Sequence, residues 1–169
     1  MIFLTIGLLA TLLFIAWQDF KYRAVYWWLF IVLLFTLTVI KLEQSNWAIF
    51  YQDFLTNSGF LLLQILTLNI YFSIKQGKLI NLFNGYFGLG DLFFLLAIAA
   101  YFSFVNYLLF YTGSLLIIMA INITGKRREY KIPLAGEQAL LFSILLIIER
   151  LYTPLNLTTD KWLITYLGI

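Results

Sequence analysis

Six apolar runs, each close to the length of a bilayer crossing, occupy most of the chain: residues 2–18, 26–41, 54–73, 89–105, 107–124 and 132–150. In lipid an open chain can satisfy its backbone polar groups only as helices, each crossing taking about 20 residues. The pattern therefore predicts an all-α polytopic membrane protein with about six transmembrane helices, in one domain covering residues 1–150. Composition agrees, since 63% of residues are hydrophobic and 11% charged, against about 45–50% and 25% in a soluble domain. The 169 residues leave no room for a separate soluble catalytic unit, so any chemistry is expected at or within the bilayer.

The first run lacks a basic segment before it and a small-residue cleavage site behind it. It reads as a retained helix rather than a signal peptide. The short polar break near 103–106 predicts a tight helical hairpin between the fourth and fifth runs. The tail, 151–169, contains Pro154 and the helix-start signal Thr158-Thr159-Asp160 before an apolar stretch too short to span. A short interfacial helix is expected there.

Basic residues set the orientation. Lys21, Arg23, Lys75, Lys78, Lys126, Arg127, Arg128 and Lys131 fall in alternate loops on one side, and Lys41, Arg150 and Lys161 fall on the other. The richer side is expected to be cytoplasmic, which puts the N-terminus outside. Trp17, Trp27 and Trp28 lie near run ends and read as an interfacial belt. The net charge of +3 comes from these loop residues and does not point to nucleic acid.

The chain contains no histidine and no cysteine. Histidine zinc sites, serine–histidine couples, cysteine nucleophiles and thiolate zinc are thereby excluded, and neither a metal nor a cofactor is expected. Paired carboxylates and a serine–lysine couple remain, and two carboxylates are misplaced for a membrane chain: Asp19 ends the first run and Asp91 opens the fourth. An ionised carboxylate at the centre of a membrane helix costs roughly 2.5–3.5 kcal/mol on the mildest scale, so such residues are commonly functional. The loop alternation brings both to the cytoplasmic face. Two nearby carboxylates share one proton, which equips one to activate water and the other to polarise a carbonyl. Gly88 and Gly90 precede Asp91 and allow a tight turn or close backbone approach.

Each residue also has a plainer reading. Asp91 can serve as a helix cap after a glycine turn, and Asp19 with Lys21 and Arg23 can be ordinary interfacial charge. Glu137, about one turn past Pro133, is either an auxiliary to the acids or a snorkelling carboxylate. Lys21 and Arg23 are further auxiliary candidates, and Glu129 reads as a solvated loop charge.

Three segments resemble the type IV prepilin peptidases, members of the GxGD group of intramembrane aspartyl proteases: A-W-Q-D-F-K-Y-R-A-V ending the first run, G-L-G-D heading the fourth, and K-I-P-L-A-G before the sixth. The resemblance implies that Asp19 and Asp91 are the catalytic pair and that Gly88 and Gly90 are the motif glycines. It further implies a multi-pass protein of a bacterial or archaeal cytoplasmic membrane, which removes the short basic leader from prepilin or pseudopilin substrates. Departures are present. Phe93 stands where many members carry lysine, Val25-Tyr26 stands where isoleucine-proline is common, and nothing corresponds to the cysteine-rich segment or the methyltransferase activity of larger members. Presenilin-like enzymes share GxGD but carry their acids on consecutive helices. A small proton- or cation-coupled carrier and an inactive scaffold with a peptidase fold are the competing readings.

Overall fold

A computed structural model describes residues 2–83, 87–124, 133–152 and 155–163. Among the described residues the chain forms helices α1 (Ile2–Tyr22), α2 (Trp27–Gln44), α3 (Trp47–Gln76), α4 (Leu89–Ala99), α5 (Phe104–Thr124) and α6 (Leu134–Leu151). Four of these, α1, α2, α3 and α5, are long and apolar enough to cross a membrane. The fourth helix has only 11 residues, and α6 carries Glu137, Glu149 and Arg150 in its 18. The basic loop with Lys126, Arg127, Arg128, Glu129 and Lys131 lies outside the described residues, as do Pro154 and 164–169.

The most extensive packing runs between α1 and α6, with α4 wedged against α2, α3 and α6. Leu8, Leu12 and Ile15 of α1 share the core with Leu33 and Leu37 of α2, Phe94 and Ile98 of α4, and Ala139 and Phe142 of α6. Where α1 meets the start of α6 the residues are small: Ala16, Ala135 and Gly136 are all buried. Small side chains let membrane helices approach closely and recover dispersion energy that lipid would otherwise supply.

The third helix begins earlier than its apolar run because Asn46 caps it, its side-chain oxygen accepting from the Ile49 amide at 2.9 Å. It ends at Gly77 in the left-handed conformation, φ 66°, the usual glycine stop. At about 1.5 Å per residue its 30 residues extend about 45 Å.

The fourth helix ends much earlier than its run. Asn57 of α3, fully buried, donates through Nδ2 to the carbonyls of Ala99 and Phe102, both at 2.9 Å. Those are the carbonyls that a helix end or a tight turn leaves without partners, and in an apolar interior they must find one. The chain therefore turns at 100–103 and enters α5. The expected α4–α5 hairpin does not form as a packed pair: α5 lies mainly along α3 and α6, and touches α4 through a Tyr107 hydroxyl donating to the Leu95 carbonyl at 3.2 Å.

Of the helix expected in the tail, residues 161–163 are helical, and 164–169 lie outside the described residues. Residues 155–160 are built into the end of the bundle, where Leu157 and Thr158 are buried. The physical reason is a polar lining at that end. Lys41, fully buried at the end of α2, pairs with Asp53 at 2.7 Å and donates to the Thr158 carbonyl at 2.7 Å. A buried ammonium needs such partners, and the tail provides one of them.

The cap that Asn57 supplies is open to test. Asn57→Leu leaves two carbonyls at the end of α4 without a donor, so the unfolding midpoint in detergent falls, corresponding to about 1–3 kcal/mol. A midpoint equal to the parent's would mean that the early end of α4 has another cause.

Candidate active site

The first turn of α6 organises the acidic end of the bundle. Pro133 occupies its N-cap position and offers no side-chain acceptor, so the first amides of the helix lack the usual local partner. Carboxylates from two other helices supply it. The Ala135 amide donates to Asp91 Oδ1 at 2.8 Å, and the next amide, of Gly136, donates to Asp19 Oδ2 at 2.7 Å. Residues 72 positions apart in sequence thus accept from consecutive amides of one helix (91 − 19 = 72). The two carboxyl groups also lie within electrostatic reach of each other. The positive end of the α6 dipole favours negative charge at this point.

Asp19 arrives on the last turn of α1 and is buried, at 8% exposure. Its position is fixed by the elbow that follows. Gln18, itself buried, accepts from the Tyr26 amide at 3.1 Å, and Arg23 takes a left-handed conformation (φ 54°) with its amide bonded to the Asp19 carbonyl at 3.0 Å. Asp91 arrives on the first turn of α4, whose N-cap is Gly88. It is therefore the third helical residue rather than the cap itself, and its carboxyl also reaches back toward the Gly88 amide, as acids at this position commonly do.

The glycines differ in what they do. A Cβ on Gly88 would stand 2.6 Å from Asp91 Oδ2, so any side chain there displaces the carboxyl. Gly90 has room, its nearest neighbour being the Phe30 ring at 3.8 Å. Among the described glycines the tightest approach to another helix is at Gly136, where a Cβ would meet Asp19 Cβ at 3.0 Å and the Ala16 carbonyl at 3.3 Å.

The auxiliary candidates separate. The Arg23 charge acts on Asp19. Lys21 lies over the rings of Trp17 and Tyr22, 5.0 Å from each centroid. Glu137 does not snorkel. It is buried and faces α5, where Asn122 Nδ2 donates to Oε2 at 3.4 Å. Phe93 stacks obliquely on Phe30, with centroids 6.1 Å apart. Both rings line an apolar cleft of about 140 Å³ between α2 and α4. Trp17, Trp27 and Trp28 are all exposed.

Gly136→Ala forces α6 away from Asp19 and Ala16, so its expected cost is about 1–3 kcal/mol of overpacking. At Gly113, which has nothing within 4 Å of a built Cβ, the same change is neutral or adds up to ~1 kcal/mol by helix propensity. Comparing the two unfolding midpoints checks the close approach; equal shifts would refute it. No protein-family model, no curated protein and no solved structure matches this chain.

Proposed function

We propose that the protein is an intramembrane aspartyl endopeptidase of the prepilin peptidase type. On this reading all six helices traverse or insert into the membrane, the N-terminus is outside, and Asp19 and Asp91 work at the cytoplasmic face. The substrate is a prepilin-like membrane protein, which loses its short basic leader. The observation that carries the proposal is the convergence of both carboxylates on consecutive amides of α6.

Such a pair is suited to amide hydrolysis. The two carboxyls hold one proton between them because a second negative charge at this separation is unfavourable. The ionised member takes a proton from water as the oxygen attacks the scissile carbonyl. The protonated member hydrogen-bonds that carbonyl as charge develops on its oxygen. Collapse of the tetrahedral intermediate breaks the C–N bond, and the amine leaves with a proton from the pair. The α6 amides hold both carboxyls in place throughout and are ready before substrate arrives. A helical substrate hides its carbonyls in its own hydrogen bonds, so the cleaved segment must unwind to be attacked.

Asp19→Asn and Asp91→Asn test this cleanly, because the amide oxygen still accepts from α6 while the acid is lost. Each variant is expected to accumulate normally in membranes and to lose cleavage of a prepilin-like substrate by at least ~10³-fold, the scale of removing an essential acid or base. Retained cleavage in either variant would rule out the two-acid mechanism. Wild type that cuts no prepilin leader would favour the carrier or scaffold instead. In the active protein, rate against pH is expected to be bell-shaped, falling at low pH as the second carboxyl protonates and at high pH as the shared proton is lost. A rate rising monotonically to high pH would contradict a shared proton.

A further inference from the structure

At the end of the bundle opposite the acids, the tail is tied to four separate parts of the fold. Asn106, at the start of α5 and 3% exposed, points Nδ2 at the carbonyls of Asn156, Leu157 and Thr159 at 3.2, 3.1 and 3.1 Å. Its Oδ1 accepts from the Trp162 indole at 3.2 Å. In the α4–α5 turn, the Ser103 amide donates to the Leu157 carbonyl at 3.1 Å, and its hydroxyl donates to Asp160. On α6, Glu149 accepts from the Leu157 amide at 2.8 Å and from the Tyr101 hydroxyl at 2.7 Å. On α2, Lys41 holds the Thr158 carbonyl, and Gln44 accepts from the Thr158 hydroxyl at 3.0 Å.

These bonds meet where α4 stops. At about 1.5 Å per residue its 11 residues rise only about 16 Å, roughly half the hydrocarbon thickness. Asp91 is in its first turn and the strapped turn follows its last. A helix this short moves as one piece, so the anchoring of 100–103 sets how high Asp91 stands against α6. A cleft of about 490 Å³, lined in part by Tyr101, Glu149, Gln44 and Asn156, lies beside the tail.

We propose that residues 155–162 are a strap that takes the place of the turns α4 lacks and fixes Asp91 at the level of the Ala135 amide, with Asn106 as the positioning residue at its hub. Its catalytic consequence rests on the peptidase reading; the mechanical claim does not. The absence of native cysteine permits a direct test. Two double variants, Asp91→Cys/Ala135→Cys and Asp19→Cys/Ala135→Cys, report the α4–α6 and α1–α6 alignments through a short thiol crosslinker in membranes. Adding Asn106→Ala is expected to lower the 91–135 crosslink several-fold and leave the 19–135 crosslink unchanged. Trp162→Phe, which removes one of the bonds, is expected to lower the former by a smaller factor.

Undiminished 91–135 crosslinking in the strap variants would overturn the proposal. So would equal loss in both pairs, which marks general loosening. Should Asn106→Ala fail to accumulate, Trp162→Phe decides alone by the same criterion. If the wild type cleaves a leader, Asn106→Ala on the native acid pair is expected to lower kcat about tenfold with KM unchanged. A wild type that cleaves nothing removes the peptidase reading and leaves the crosslinking result standing.

Discussion

A helix that begins without a cap of its own is the constraint from which the acidic end follows. Pro133 stands at the N-cap of α6 and has no side-chain oxygen to bond its first amides. Two carboxylates complete the helix, and in return receive two N–H donors and the favourable end of a dipole in a place where water is scarce. Neither half is comfortable alone: the amides would be unsatisfied, and the carboxylates would be poorly solvated. Three helices are locked together by that exchange. Gly136 is part of the same arrangement, because a methyl group there would push α1 off the helix start and lengthen the bond to Asp19.

Much of the helical layout was legible as apolar runs, because lipid-exposed helices write their length directly into composition. Where the reading failed, the deciding contact is remote in sequence. Ala100, Tyr101 and Phe102 are as suited to an apolar run as the residues before them, and nothing local says that α4 stops. Asn57, 42 positions before Ala99, stops it (99 − 57 = 42). Likewise Leu157 and Thr158 read as part of a surface tail until Lys41, Asn106 and Glu149 are seen to need partners at that end. The signal available beforehand was the presence of Asn57, Lys41 and Asn106 in or beside apolar runs, since buried polar groups in membranes are kept where something bonds them.

At the site, Asp19 and Asp91 stood out by cost alone, and Gly88 by its place before the acid. The roles of Ala135 and Gly136 were not readable as chemistry, because a backbone amide has no signature in sequence. The available hint was proline followed by small residues at a helix start. Glu137 shows the opposite error: its spacing from Pro133 fits an interfacial carboxylate, yet the neighbouring Asn122 on α5 gives it a buried place.

One helix of 30 residues and another of 11 pack side by side in this bundle. No single hydrocarbon thickness matches both. Against hydrocarbon about 30 Å thick, a helix of the length of α3 must lean or project, while one of the length of α4 reaches only about half the depth. The change takes place over about one helix diameter, some 10 Å, so the depth the bundle can reach differs from one helix to its neighbour.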